Sequence, residues 1–221
     1  MAGPLIKKLN QISLNDFDEV GGKNSSLGEM ISNLSKLGVN VPGGFAVTST
    51  AFNEFLSLSG LDKIISKELS NLNVENLADL RRSGKKLRDL ILKTPLPEVL
   101  ISEIEEAWKD VSKPGKSFAV RSSATAEDLP DTSFAGQQET FLNIDGFENL
   151  IDAVRRVYAS LFTDRAISYR KLRDFKGTLS ISVGVQEMVR SDVGSSGVAF
   201  TLDTESGYRG SIFITSSYGL G

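Results

Sequence analysis

The apolar positions of the first 60 residues have the spacing of helices separated by one short strand. One set recurs in steps of three and four residues, which predicts a helix over about residues 24–37. Its members are Leu27, Met30, Ile31, Leu34 and Leu37. Gly38 is expected to end this helix, because glycine readily adopts the left-handed conformation found after many helices. A short strand is predicted at residues 45–48, and Ser49 is expected to cap a second helix.

The segment from about residue 58 to residue 113 is rich in charged residues and is predicted to be helical. The remainder of the chain alternates strands with shorter helices. The predicted strands are 118–122, 139–144, 181–189, 196–202 and 211–217, and the predicted helices are 147–158 and 164–172. This order favours the α/β class, of α+β type, with helices packed on a mixed, largely antiparallel sheet.

The composition excludes several classes of function. Apolar residues make up 40% of the 221 residues and charged residues 24%, as in an ordinary folded domain. The net charge of −3 disfavours nucleic acid and anionic membranes as main partners, because both require a basic surface. The chain contains no cysteine and no histidine, which excludes thiol nucleophiles, zinc–thiolate sites and any phosphohistidine on this chain. We therefore expect a cytoplasmic protein, and the composition leaves room for a local basic site that binds a small anion.

Gly21-Gly22-Lys23 stands where the first helix is expected to begin. Glycines allow the backbone to approach an anion closely, and the N-terminus of a helix favours negative charge. The motif is not a Walker A loop, because that pattern would require glycine at position 17 and a hydroxyl residue at position 24. The motif is compatible with two readings, in which Lys23 is a phosphate ligand or a solvated lysine after a turn.

Arg121 follows three apolar residues in the predicted strand 118–122. A guanidinium at the end of a buried strand needs an anionic partner, because it does not lose its proton. That partner is either a phosphate or a carboxylate of this chain, and the candidate carboxylates are Glu127, Asp128 and Glu139.

The polar segment after Arg121 is rich in hydroxyl and amide groups, and Gly136 in it permits close backbone approach. Its length favours a mobile cover over a site, although an ordinary surface loop has the same composition. The residues of this segment that we expect to contact a ligand are Ser123, Gly136, Gln137 and Thr140.

Gln186 to Val189 lie late in an apolar strand. The backbone edge of such a strand, together with Gln186 and Met188, has the chemistry to contact the edge and face of a purine. The alternative is that Met188 is an ordinary core residue. No metal ligands are expected on this chain.

Several blocks together resemble the N-terminal nucleotide-binding region of the phosphoenolpyruvate synthases (pyruvate, water dikinases), which are phosphoenolpyruvate-utilising dikinases. They read GGKNSSLGEM at 21–30, VPGGFA at 41–46, FAVRSSATAEDLP at 118–130 and SFAGQQETFL at 133–142. Further blocks read ASLFTDRAISYR at 159–170, GVQEMVRSD at 184–192 and SGVAF at 196–200. The resemblance covers nearly the whole chain and is weakest in the helical segment.

The resemblance implies that residues 1–221 form the first lobe of an ATP-grasp domain, with the helical segment at about 58–113, and that the chain is a fragment of a longer multidomain enzyme. It implies that Lys23 and Arg121 hold the ATP phosphates and act in phosphoryl transfer. Gly136 and Thr140 would belong to a phosphate-covering loop, and Gln186 would lie near the adenine. The metal ligands for Mg²⁺, the phosphohistidine domain and the pyruvate-binding domain would lie outside this chain.

The same resemblance leaves two other functions open. Rifampicin phosphotransferases and related dikinases share some of these blocks, and their acceptor substrate is selected on other domains. A non-catalytic module that merely binds a nucleotide or a partner is the alternative of another class. In every case we expect the isolated chain to be inactive in turnover.

Overall fold

The computed structural model describes residues 3–124, 128–129, 132–133, 139–172 and 180–219. These form two compact units, Met1–Met188 and Val189–Gly221. The strands of the first unit are β1 (Ile6–Lys8), β2 (Gly44–Val47), β3 (Phe118–Ala124), β4 (Asp128–Leu129), β5 (Thr132–Ser133), β6 (Thr140–Ile144) and β7 (Ile181–Glu187). Its helices are α1 (Phe17–Leu34), α2 (Ser49–Leu58), α3 (Leu61–Ser70), α4 (Leu77–Lys93), α5 (Glu98–Val111), α6 (Phe147–Ser160) and α7 (Asp164–Leu172).

Five strands of the first unit form one sheet in the order β1-β2-β7-β3-β6, and every neighbouring pair is antiparallel. Strands β4 and β5 pair with each other in a separate short ladder. Helices packed on an antiparallel sheet confirm the α+β class predicted from the sequence. The segment 58–113 contains α3, α4 and α5, which agrees with its predicted helical character.

The two faces of the five-stranded sheet have different chemistry, because alternate residues of a strand point to opposite faces. One face is apolar and is covered by helices of the second half of the unit and by α2. Its buried strand residues are Phe45, Val47, Phe118, Val120, Ile181, Val183 and Val185. Trp108 of α5 contacts Phe118 on this face, with ring centroids 4.7 Å apart.

The opposite face carries the small and polar strand residues and is covered by α1. A small apolar cluster seals α1 to this face and to the turns before it, and its members are Leu9, Ile12, Val20, Leu27 and Ala46. The rest of this face on β3 and β7 is lined by polar side chains, glycine and Ala119. The strand alternation therefore separates an apolar core face from a face whose polar side chains can bind a ligand.

Three local expectations for the N-terminal region were wrong in detail. Helix α1 begins at Phe17 rather than near residue 24, and it ends at Leu34 rather than at Leu37. Met30 and Leu37 are exposed, although their spacing placed them with the apolar positions of α1, because the sheet covers only one side of this helix. Thr48, and not Ser49, caps α2, since its hydroxyl oxygen accepts a hydrogen bond from the backbone N–H of Ala51 at 3.3 Å.

The second unit is a β-hairpin with two strands, β8 (Ser195–Phe200) and β9 (Phe213–Tyr218), paired antiparallel from Ser195↔Tyr218 to Phe200↔Phe213. Both strands were predicted from the sequence within two residues. Large apolar side chains of this hairpin are exposed, including Ile214 and Tyr218. Across the described part of both units, no helix combines the length and the hydropathy needed to cross a bilayer.

Candidate functional site

Helix α1 is interrupted at Gly21, where the backbone leaves the helical conformation with φ 74° and ψ 169°. A Cβ atom at this position would lie 2.4 Å from the backbone oxygen of Ser123, so a side chain has no space there. Only glycine satisfies both the conformation and the close approach. The helix resumes at Gly22, and its N-terminus, with the partial positive charge of a helix dipole, therefore lies against β3.

The residues around Lys23 are attached to the strand that carries Arg121. The backbone N–H of Asn24 donates to the hydroxyl oxygen of Ser123 at 3.2 Å. Ser123 and Arg121 are two residues apart on β3, so they share a sheet face and are separated by about 7 Å along the strand. Lys23 and Arg121 are both half-buried. The structure thus brings the Lys23 segment and Arg121 to the same face of the sheet.

Thr140 is the direct cross-strand neighbour of Arg121 on β6, and Gly184 is its neighbour on β7. Side chains of directly opposed residues lie on the same face with Cβ atoms about 5 Å apart. Thr140 is exposed, whereas Ser123 is fully buried. The hydroxyl of Thr140 therefore borders Arg121 on the solvent side, while that of Ser123 is used to hold the start of the helix.

Gln186 lies on the same face, two residues beyond Gly184 on β7, and its amide nitrogen donates to the backbone oxygen of Pro42 at 3.1 Å. Met188 follows the end of β7 and is half-buried. Its sulfur accepts a hydrogen bond from the backbone N–H of Asn143 at 3.1 Å, and its own N–H donates to Ser117. Gln186 thus lies next to the Arg121 region. Met188 lies at the edge of this region, where it connects the end of β7 to β6 and to the residue before β3.

Gly136 and Gln137 lie outside the residues that the structure describes.

Sequence reasoning missed three residues that the structure places beside Arg121 and Lys23, namely Asn24, Ser182 and Gly184. Two signals in the sequence pointed to them. Asn24 occupies the same helical stripe as Leu27 and Ile31, which indicates a buried polar side chain. Gly184 interrupts an otherwise apolar strand, which indicates close approach by another part of the chain.

An ion pair anchors the segment that precedes the site. Lys7 on β1 forms ion pairs with Asp16 at 2.6 Å and with Glu19 at 2.8 Å. The hydrogen bond from Lys7, together with one from the backbone N–H of Ser13, lowers the pKa of the Asp16 carboxyl below its ordinary value. Asp16 is therefore ionised at neutral pH and holds the start of α1 to the edge of the sheet.

The chemistry of this face suits a polyanion. Lys23 and Arg121 contribute two cationic side chains, the resumed helix contributes the positive end of its dipole, and Thr140 contributes a hydroxyl. Among the residues that the structure describes, no three acidic side chains are grouped closely enough to hold a metal ion. The cationic and hydroxyl groups of this face have the chemistry to bind charged oxygen atoms.

Comparison with known proteins identifies the family of the chain. The family model described as "Pyruvate phosphate dikinase, AMP/ATP-binding domain" matches residues 17–221. The chain is 56% identical to a phosphoenolpyruvate synthase of Neisseria meningitidis serogroup B and 53% identical to one of Escherichia coli, in each case over 100% of this chain and 28% of the relative. It is 50% identical to a phosphoenolpyruvate synthase of Aquifex aeolicus, over 98% of this chain and 26% of that protein. The chain thus spans about a quarter of the length of these relatives, and it belongs to the family of pyruvate phosphate dikinase AMP/ATP-binding domains.

Proposed function

We propose that the face of the sheet beneath α1 binds ATP, with Lys23 and Arg121 contacting its phosphate groups. The observation that supports this most directly is the attachment of the Lys23 segment to Ser123, two residues from Arg121. Phosphate oxygens match the forked donors of a guanidinium, and an ammonium group adds a second positive charge. Family membership supports the choice of ATP over other polyanions.

In this proposal Lys23 and Arg121 orient the phosphate chain and stabilise the charge that develops when a phosphoryl group is transferred. Thr140, Gly136 and Gln137 belong to the polar segment that covers the phosphates. Gln186 and Met188 line the adenine side. Ser123, which lies on the other side of Arg121 along β3, acts by holding the start of the helix rather than by touching the nucleotide. Mg²⁺ would accompany ATP and neutralise phosphate charge, and its protein ligands would lie outside this chain.

We further propose that the chain is the first lobe of an ATP-grasp domain in a longer phosphoenolpyruvate synthase. That enzyme would transfer a phosphoryl group from ATP to a histidine on another domain and then to pyruvate, giving phosphoenolpyruvate, AMP and phosphate. The chain has no histidine, so the carrier must be supplied elsewhere. A cytoplasmic location is part of the same proposal.

The test is an ATP titration by calorimetry, carried to millimolar nucleotide because affinity is expected to be weak. Replacing Arg121→Ala or Lys23→Ala removes charge-assisted hydrogen bonds, and each is expected to weaken ATP binding about 10–100-fold. Arg82→Ala and Lys36→Ala are matched controls, because Arg82 is exposed on α4 and Lys36 follows the far end of α1. Unchanged ATP affinity in both Arg121→Ala and Lys23→Ala contradicts the proposed site.

A second measurement separates the enzyme from a non-catalytic module. Phosphoenolpyruvate formation from ATP and pyruvate is measured with the longer gene product and with the isolated chain. We expect activity only in the former, with a loss on replacing Arg121→Ala. A gene product that binds ATP but transfers no phosphoryl group would favour the module, and transfer to rifampicin would favour the phosphotransferase alternative.

A further inference from the structure

Asn24 is a fully buried polar residue at the point where α1 resumes. Its side-chain nitrogen donates to the backbone oxygen of Val20 at 3.0 Å and to the hydroxyl oxygen of Ser182 at 3.1 Å. Its backbone N–H donates to the hydroxyl oxygen of Ser123. Ser123 and Ser182 are direct cross-strand neighbours on β3 and β7. One residue therefore ties the start of the helix to both central strands of the site.

The side-chain oxygen of Asn24 lies close to Gly184 on β7. It lies 2.3 Å from the position that a Cβ atom of Gly184 would occupy, and Gly184 is paired with Arg121. The two hydrogen bonds of the nitrogen fix which way the amide faces, so the oxygen faces Gly184. The amide of Asn24 is consequently packed against the strand position directly opposite Arg121.

Stability alone does not account for an amide at this position. Its buried oxygen receives no hydrogen bond from the described part of the chain, and burying such a group is unfavourable compared with an apolar side chain of similar size. What the amide provides is orientation, since its two N–H donors link Val20, before the interruption of the helix, to Ser182 on β7. The backbone N–H of Asn24 makes the separate contact with β3. Lys23 is the adjacent residue, and its backbone position follows from that placement.

We propose that Asn24 is a positioning residue that holds Lys23 in register with Arg121, so that both cations contact the same nucleotide phosphates. This inference rests on the proposed function, because it requires that Lys23 binds phosphate. Asn24 itself is enclosed and does not contact the nucleotide. Its effect on ATP is therefore exerted through Lys23.

The test is a double-mutant cycle on ATP affinity with the variants Asn24→Ala, Lys23→Ala and the two combined. Asn24→Ala removes two neutral hydrogen bonds that fix Lys23, so it is expected to weaken ATP binding about tenfold. The double variant is expected to bind ATP within about twofold of Lys23→Ala, since a positioning residue has no effect once the positioned group is gone. Affinity for adenosine, which lacks phosphates, is expected to be unchanged in all three.

Asn33→Ala is the matched control, because Asn33 is exposed on the same helix. If Asn24→Ala does not fold, Ser182→Ala removes one acceptor of the Asn24 side chain and replaces it in the cycle. Fold-changes that multiply in the double variant overturn the inference, as does wild-type ATP affinity in a folded Asn24→Ala. If Lys23→Ala itself binds ATP normally, the proposed function fails and this inference fails with it; a weakened Lys23→Ala beside a normal Asn24→Ala refutes only the inference.

Discussion

Replacing Gly21→Ala is expected to destabilise the first unit by an amount that two features of the structure determine. The conformation at Gly21, φ 74° and ψ 169°, is one that an alanine adopts only at a cost of about 1–3 kcal/mol. The added methyl group would lie 2.4 Å from the Ser123 carbonyl oxygen, and relieving such an overlap in a packed interior costs about 1–3 kcal/mol more. The free energy of unfolding is therefore expected to fall by about 2–6 kcal/mol.

Two other glycines provide controls that separate these contributions. Gly38 has φ 82° but open space around it, so Gly38→Ala tests conformation alone and is expected to cost about 1–2 kcal/mol. Gly43 has open space and no positive φ, so Gly43→Ala is expected to change stability by less than about 0.5 kcal/mol. The order of the three losses is therefore Gly21, then Gly38, then Gly43.

Urea unfolding followed by tryptophan fluorescence measures these losses, because Trp108 is the only tryptophan and packs against Phe118 in the core of the first unit. Gly21→Ala is also expected to weaken ATP binding at temperatures where it remains folded, because the displaced helix start carries Lys23. A Gly21→Ala variant as stable as Gly43→Ala would refute the close contact between α1 and β3, and with it the basis of the proposed site.

Three further predictions concern the remainder of the first unit. Gly84→Ala places a methyl group 2.7 Å from a carboxylate oxygen of Asp164, and it is expected to lower stability in urea by about 1–3 kcal/mol while leaving ATP affinity unchanged. Tyr158→Phe removes a fully buried hydroxyl that has no hydrogen-bond partner within the described residues, and calorimetric unfolding is expected to show equal stability or a gain of about 1 kcal/mol. Asp16→Asn removes a carboxylate whose pKa is lowered by Lys7; the stability it contributes is present above the unfolded pKa near 4 and is lost as the pH falls through the folded pKa. The variant is thus expected to be less stable than the wild type at pH 7, with a difference that shrinks below about pH 4 in pH-dependent urea unfolding.

Local periodicity predicted most helices and strands of this fold, because each apolar face is encoded over a short stretch, but it missed the short strands β1, β4 and β5. The second helix was predicted to follow Ser49, and its apolar residues Ala51, Phe52, Phe55 and Leu56 are all buried. Periodicity does not say how much of an apolar stripe is covered by the rest of the molecule. Leu37 is for this reason 76% exposed, although its spacing matches that of the buried Leu27.

The attachment of the site residues to one another depended on contacts that sequence patterns do not specify. The motifs indicated Lys23 and Arg121 separately, and the choice between a phosphate ligand and a solvated lysine stayed open. The decisive contact joins Asn24 and Ser123, which are 99 residues apart. A helix–strand contact at such a separation follows from the packing of the whole unit, so no local pattern predicts it.

The register of β3 connects the stability of the fold to the direction of Arg121. Phe118 and Val120 enter the apolar core on one face, and the alternation of the strand then requires Arg121 and Ser123 to lie on the other face. A shift of one residue would move Arg121 into the core and expose two large apolar side chains, which is strongly unfavourable. The hydrophobic core therefore selects the face on which Arg121 lies, and Gly21 and Asn24 need only bring the helix start to that face. Core substitutions that keep the register are consequently expected to lower stability without redirecting Arg121.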